Sequence, residues 1–445
     1  MIDLSKIVCS SALYDCCGVV FEYQGKMFRA LLPRGLRIFE MLSQCGWIED
    51  LAKKGLARMW LTDLKIPGYE KVIELEKIRP VIPPFMWTPR MLAQAGFTIC
   101  DLSEELLKKN LILWDLKGMT NMTFSPSGPL LMDIGAIYTV QELERNFLTI
   151  SVKSLFDQTV AAYYLPLWLE YGPFRNLTAV KRLRENYWGG EQGFAIASSI
   201  LRRLTLGYRI IPGLLHAKRS LTFHRYVDFF KCVRRQLERW VGDEMNSRSM
   251  ESTDPMSLKI AKPDQQFFRE IIEKKMCGQM GQVVFDLFPD GGVGGRISTH
   301  NKTELYFISP DADKGEEIYR RRNMRGEAIL PIVCNIWDRS SWQCFFLEGS
   351  ADLVYILPDV FKAAATSRVP LDFMGRILST LTQGSALIGI SGNNKEESFP
   401  AFVSCPNSEA DPVNFVLGIL SKYFRSHEVV RGPQGSNATV IILHK

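Results

Sequence analysis

The chain has 445 residues, enough for two or three domains with cores of ordinary size, which excludes a stapled mini-protein. Apolar residues make up 46% and charged residues 23%, so a largely disordered or fibrous chain is excluded as well. The formal net charge of +6, from 54 basic and 48 acidic side chains, lacks the basic excess of a dedicated nucleic-acid binder, and no nucleic-acid partner is expected.

In chain order, residues 1–145 read as an α+β region. FEYQGKMFRALLP has the pattern of a small strand pair and RGLRIFEMLSQCGW that of the helix after it. Further on, NLILWDLKGMTNMTFSPSGPLLMDIGAI offers an apolar strand, a loop with Asp115, Lys117 and Asn121, a hairpin over SPSG, and a strand ending in Asp133-Ile134-Gly135. That order resembles a kinase catalytic loop followed by the magnesium-binding D-F-G, in which Asn and the second Asp hold metal between phosphates. Asn121 and Asp133 are therefore the candidate metal ligands, and magnesium-ATP the candidate ligand, if this site is active. The pattern departs from kinases, however. Asp115 precedes Asn121 by six positions rather than five, and Leu116 stands at the base position. No V-A-I-K or G-x-G-x-x-G precedes it, so only Lys26 or Arg29 is left to serve as the nucleotide-binding cation. The expectation is a kinase-like shell without phosphoryl transfer.

Residues 146–241 read as a helical segment. NLTAVKRLRENYW, AIASSILRRL and FHRYVDFFKCVRRQLERWV repeat apolar residues three and four apart, with basic residues between them. GDEMNSRSMESTDPMS, residues 242–257, is polar and ends near a proline, the composition of a linker.

Residues 258–445 alternate apolar strand runs with helix patterns. The runs are VVFDLF, ELYFIS, AILPIVCNI, ADLVYIL, ALIGIS, EVV and TVIILH; DQQFFREIIEKKM, KGEEIYRRRN, VPLDFMGRILSTL and DPVNFVLGILSKYF supply helices. Near-continuous apolar strands alternating with helices predict a mostly parallel sheet covered on both faces. Only GPQGSNA separates the last two runs, a length that permits a hairpin but not a crossover, so the last strand must run antiparallel. The predicted fold class is α/β, with a Rossmann-like seven-stranded sheet of the class I S-adenosylmethionine-dependent methyltransferase kind, preceded by the kinase-like region and the helical segment.

In such a sheet a ligand binds beyond the carboxyl ends of the strands at the switch point. There the first strand carries Asp286 and runs into Asp290, Gly291, Gly292, Gly294 and Gly295, glycines that let the backbone approach a ligand or simply make a turn. The second strand ends in ISPDAD, about 20 residues on, where an acidic side chain accepts hydrogen bonds from ribose. Asp311 is the candidate for that role; an Asp here also serves as a helix N-cap, as Asp313 would for the helix that follows. Asn335 and Asp338 follow the third strand and Asp359 the fourth, as adenine-contacting or catalytic candidates or else as caps and turn formers.

Ten scattered cysteines contain no C-x-x-C, and five histidines show no H-E-x-x-H, so neither a zinc site nor a zinc hydrolase is expected. G-x-S-x-G is absent, against an α/β-hydrolase. No run of 18 apolar residues occurs and the first residues lack a leader pattern; a cytoplasmic protein with no membrane span is expected.

Several segments together resemble the NoeA-type nodulation methyltransferase family, which joins a kinase-like region to a methyltransferase domain. They are PPFMWTPRMLAQAGFTICDL, NMTFSPSGPLLMDIGAI, AAYYLPLWLEYG, VVFDLFPDGG, YFISPDAD, LPIVCNI and VPLDFMGRILSTLTQG. The resemblance implies that Asp286, Gly292 and Asp311 line an S-adenosylmethionine site and that Asn121 and Asp133 mark a kinase-like one. Phe288, Asn335, Pro358-Asp359 and GISGNN depart from the family pattern at that site. The expected activity is methyl transfer to a small molecule, sugar or specialised metabolite. A degenerate binding or scaffold protein and an ATP-dependent phosphotransferase are the rivals, and a homo-oligomer is left open.

Overall fold

In a computed structural model the chain is described over residues 8–9, 16–114, 121–142, 167, 170–171, 223–248, 262–276, 282–287, 303–325, 329–337, 347–357, 369–390, 412–434, 436 and 438–445. The chain divides into two units. The first comprises Met1–Ile78, Pro83–Phe85 and Met91–Glu251, and the second Arg79–Ile82, Met86–Arg90 and Ser252–Lys445.

Among the described residues the first unit holds a five-stranded antiparallel sheet of order β1-β2-β3-β5-β4, formed by Val8–Cys9 (β1), Gly18–Tyr23 (β2), Lys26–Leu31 (β3), Met59–Leu61 (β4) and Val72–Leu75 (β5). Strands β2 and β3 meet over Gln24 and Gly25, both at positive φ (51° and 76°), the backbone twist that a two-residue hairpin requires. Helix α1, Pro33–Gln44, starts on a proline whose fixed φ suits the first helical position, and it buries Leu36, Ile38, Phe39 and Leu42 at helical spacing. After α2 (Trp47–Ala52), the longer helix α3 spans Pro89–Leu107. Leu111–Leu113 (β6) then pairs with Ile137–Thr139 (β9), and Met122–Ser125 (β7) pairs with Gly128–Leu131 (β8) across the SPSG turn.

Helix α4, Phe223–Arg248, packs on α3 within this unit. Arg234 Nη1 donates to Asp101 Oδ1, and Gly96 leaves just enough room for Leu167 and Leu237, each 3.0 Å from where a Cβ would stand. The helix runs on through Gly242 to Arg248, where the composition reads as linker. One glycine costs a helix only about 1 kcal/mol, and Glu244, Met245 and Arg248 are good helix formers, so the helix extends past the start that composition gives the linker.

In the second unit the described strands are Val283–Leu287 (β10), Glu304–Ser309 (β11), Ile329–Val333 (β12), Ala351–Ile356 (β13), Thr382–Ile390 (β14), Ser426–Arg431 (β15) and Thr439–His444 (β16). They form one sheet of order β12-β11-β10-β13-β14-β16-β15. Strands β10 to β14 pair in parallel, while β16 runs antiparallel to both β14 and β15. All five residues of β10 are buried, the burial of a strand covered on both faces. On one face Val284, Leu305, Phe307, Ile329, Leu353 and Tyr355 pack against Phe267, Phe268, Ile272 and Met276 of α5 (Lys262–Met276) and Ile318 of α6 (Ala312–Arg325). Helices α7 (Leu371–Leu381) and α8 (Pro412–Leu420) complete the order among the described residues.

The two short stretches at 79–90 are the part of this unit that its sequence position does not announce. Arg79 Nη2 donates to Asp352 Oδ2 at 3.0 Å, and the same oxygen accepts from the backbone N–H of Val283 at 2.9 Å. Gln383 Nε2 donates to Asp352 Oδ1 at 2.8 Å. One carboxylate thereby ties the starts of β10, β13 and β14 to Arg79. Replacing Asp352 with Ala should remove about 2 kcal/mol of stability, because a half-buried ionic acceptor loses three donors, and should lower the calorimetric midpoint by roughly 4–8 °C. A midpoint within about 1 °C of the parent would show that this junction carries no stability.

Candidate cofactor site

From β10 the chain moves out to β11 and then β12, and returns to β13 on the opposite flank of β10. The carboxyl ends of β10 and β13 therefore part at a topological switch point, where open α/β sheets bind ligands. Asp286 lies on β10 one residue before its carboxyl end, 3% exposed. Its register neighbours are Phe307 on β11 and Tyr355 on β13. The Tyr355 hydroxyl is held protonated beyond the usual tyrosine range, first by burial and then by the charge and hydrogen bond of the Asp286 carboxylate. A buried carboxylate on β10, with a buried phenol as its register neighbour on β13, is the strongest chemical feature among the described residues at this end of the sheet.

Asp311 stands just beyond β11. Its Oδ1 accepts from the backbone N–H groups of Asp313 (3.0 Å) and Lys314 (3.2 Å), which makes it the N-cap of α6, and its own N–H donates to Ser309 Oγ at 3.1 Å. The cap is thus Asp311, and Asp313 sits in the first turn rather than capping it as the sequence suggested. Asn335, two residues past β12 and exposed, accepts from Trp337 N–H through Oδ1 at 3.2 Å. Cys334 N–H donates to Ser309 O, which keeps the ends of β11 and β12 together. Asp286, Asp311 and Asn335 therefore follow one another across the carboxyl ends of three adjacent parallel strands, spaced about 4.8 Å apart. Asp290, Gly291, Gly292, Gly294, Gly295, Asp338 and Asp359 lie outside the described residues. Tyr355 is the partner that reading the sequence misses: it falls inside an apolar run, and strand register alone brings it to Asp286.

In the first unit Asp133 precedes the turn Ile134–Ala136. Its Oδ1 accepts from Gly135 N–H at 2.7 Å and from Arg29 Nη1 at 2.8 Å. Arg29 comes from β3 with its side chain 5% exposed, whereas Lys26 reaches out to Glu74 with its own at 61%. Met132 N–H donates to Asn121 O at 2.9 Å, so backbone pairing joins the two segments carrying Asn121 and Asp133. Asp115, Leu116 and Lys117 lie outside the described residues. Among the described residues no three His, Cys, Asp or Glu side chains gather as a metal site, and no described helix is long and apolar enough to cross a membrane.

The sequence matches no protein-family model and no curated protein. Among solved structures it resembles the antibiotic-resistance methyltransferase Kmr, at 17% identity over 40% of this chain and 92% of that one, TM-score 0.28. It also resembles the N-methyltransferase NodS from Bradyrhizobium japonicum WM9, at 13% over 42% and 99%, TM-score 0.30. A third is a TehB-like SAM-dependent methyltransferase from Corynebacterium glutamicum ATCC 13032 Kitasato, at 14% over 47% and 96%, TM-score 0.26. Scores this low carry no argument, whereas the strand order is a property of this chain. With the strands of the second unit counted from its first, β10, that order is 3-2-1-4-5-7-6 with the seventh strand reversed.

Tyr306, Tyr319 and Tyr355 are all held protonated above the ordinary tyrosine range, in each case chiefly by burial. A folded-state pKa raised above the unfolded one contributes stability that is complete below about pH 10 and is lost as pH rises through the folded value. Denaturant titrations should accordingly show the unfolding free energy of the second unit falling from about pH 10 upward. Replacing Tyr355 with Phe, which removes one of these buried hydroxyls, should flatten part of that alkaline slope. An unchanged slope would show that Tyr355 does not titrate with folding.

Proposed function

We propose that the second unit binds S-adenosylmethionine across the carboxyl ends of β10, β11 and β12 and transfers its methyl group to a small molecule, sugar or specialised metabolite, in the two-part arrangement of the NoeA-type family. One observation carries the proposal: a sheet of order 3-2-1-4-5-7-6 with a reversed seventh strand holds a buried carboxylate, Asp286, at its switch point. The chemistry of the donors fits the group. Asp286 offers negative charge where a cationic amino-acid end would lie, together with the backbone around Asp290, Gly291 and Gly292. Asp311 uses Oδ1 as a helix cap and has Oδ2 for a ribose hydroxyl. Asn335 offers an amide beside β12, as an adenine edge requires. When bound, the cofactor supplies an electrophilic methyl group on a sulfonium. The protein's task is then to align acceptor and donor, with Asp338 and Asp359 as the candidates to take the acceptor's proton.

The first unit, on this reading, is a kinase-like shell without phosphoryl transfer. Support comes from its sheet, from the β6–β9 and β7–β8 pairings around the Asn121 loop, and from the cation on β3. In kinases that strand carries a lysine for the phosphates, while the Asp after the hairpin binds magnesium. Here the β3 cation is Arg29, and it is spent directly on Asp133. Both groups are engaged as structure, so magnesium-ATP is not part of the mechanism.

Calorimetric titration with S-adenosylhomocysteine and, separately, magnesium-ATP tests the proposal. The parent should bind the adenosyl ligand, and Asp311→Ala should weaken it about ten- to a hundredfold, the worth of one charge-assisted hydrogen bond. Absence of binding at millimolar ligand would leave the scaffold reading in its place. Asp133→Asn should keep methyl transfer within about tenfold of the parent, since the change touches no group that aligns the methyl donor. An ATP-dependent product would instead establish the phosphotransferase.

A further inference from the structure

The strap formed by residues 86–90 approaches the second unit where α6 begins. Arg90 engages both oxygens of Glu316: its backbone N–H donates to Oε2 at 3.0 Å and its Nε pairs with Oε1 at 2.5 Å. Glu316 is a buried carboxylate, 7% exposed, in the second turn of α6. Arg90 is the second residue of α3, so its N–H is one of the donors that a helix start leaves without an intrahelical partner, and Glu316 supplies the acceptor. One residue nearer the cap, Gly315 faces Thr88. A Cβ on Gly315 would stand 3.1 Å from Thr88 Cγ2, 3.4 Å from Val333 Cγ2 and 3.6 Å from Pro331 Cβ, so a side chain here would push Thr88 away by a few tenths of an ångström.

The path of the strap explains how it acts. Arg79 O accepts from the Tyr306 hydroxyl, and Arg79 pairs with Asp352, both on one face of the sheet. Pro331 and Val333 lie on the other face, since Pro331 pairs with Phe307 and not with Tyr306. Residues 86–90 lie against the first two turns of the helix whose N-cap is Asp311. Because Asp311 is bonded to Asp313 N–H, Lys314 N–H and Ser309 Oγ, a shift of this turn carries its carboxylate along.

We infer that the strap is a positioning element for the cofactor site: Thr88 and Arg90, contributed from far upstream in the chain, set the place of Asp311 through Gly315 and Glu316, and so set affinity for the adenosine end of the ligand. The inference rests on the methyltransferase reading and extends it to residues that touch no ligand. Hydrogen bonds weaken over a few tenths of an ångström, the scale of the displacement that a new Cβ at 3.1 Å imposes.

Gly315→Ala in the full chain isolates the effect, because alanine favours the helix while crowding Thr88. Affinity for S-adenosylhomocysteine should fall about tenfold, with the melting midpoint staying within about 2 °C of the parent. Amide exchange at Asp313 and Lys314 should quicken. Adding Thr88→Ser, which removes Cγ2 and keeps the hydroxyl, should restore both affinity and protection. Unchanged affinity and exchange in Gly315→Ala, a loss that Thr88→Ser does not repair, or a loss that follows the melting midpoint would overturn the inference. If the parent protein binds no adenosyl ligand, the cofactor reading fails by itself. The exchange measurements then decide alone: quickening reversed by Thr88→Ser upholds the strap's hold on the turn, and no change refutes it.

Discussion

Parallel strands can be joined only by crossovers, and that constraint orders the second unit. Each of β10 to β13 must hand the chain to a segment that leaves at its carboxyl end and returns to the amino end of the next strand. All the connections that could carry chemistry therefore emerge on one side, and the reversal of strand order between β12 and β13 opens a crevice there beside β10. Burial on both faces follows as well, so that β10 is apolar except for Asp286. A carboxylate in such a place is costly unless polar groups accompany it, and the Tyr355 phenol is its register neighbour.

Polar residues at the two ends of the sheet serve different ends. At the amino side Asp352 collects Val283, Arg79 and Gln383 and is a fastening. At the carboxyl side Asp311 caps α6 through one oxygen, Oδ1. A capping role and a ligand role are compatible in one carboxylate, since it has about four lone-pair directions and the cap uses those of a single oxygen. Two short upstream stretches reach these two ends: Arg79 meets Asp352, and residues 88–90 meet the first turns of the helix that Asp311 caps.

In the first unit a cation and a carboxylate far apart in sequence take a structural use: Arg29 on β3 pairs with Asp133 before its turn. A rigid guanidinium on a carboxylate is a stronger and more directional pairing than a lysine would make. It also answers which of two cations stands inside: Met27 and Phe28 separate Lys26 from Arg29, so the strand alternation sends the two residues to opposite faces, Lys26 to Glu74 at the surface and Arg29 inward.

Local pattern alone determined a good deal of this protein. Apolar runs placed β10 to β16 to within a few residues, and the short GPQGSNA connection required β16 to oppose its partner, because two strands so close in sequence have no length for a crossover. It also singled out Asp286 and Asp311 as side chains at strand ends, and Asn121 and Asp133 around a hairpin. Tertiary structure alone decided which oxygen of Asp311 caps α6, that Tyr355 meets Asp286, that Arg29 rather than Lys26 reaches Asp133, and that residues 79–82 and 86–90 belong to the second unit. The reason is the range of the forces involved. Periodicity and connection length act between residues a few positions apart and are written in the sequence, whereas the Arg90–Glu316 and Arg79–Asp352 pairs join positions 226 and 273 apart, and no local pattern records which distant strand or turn a charge will meet.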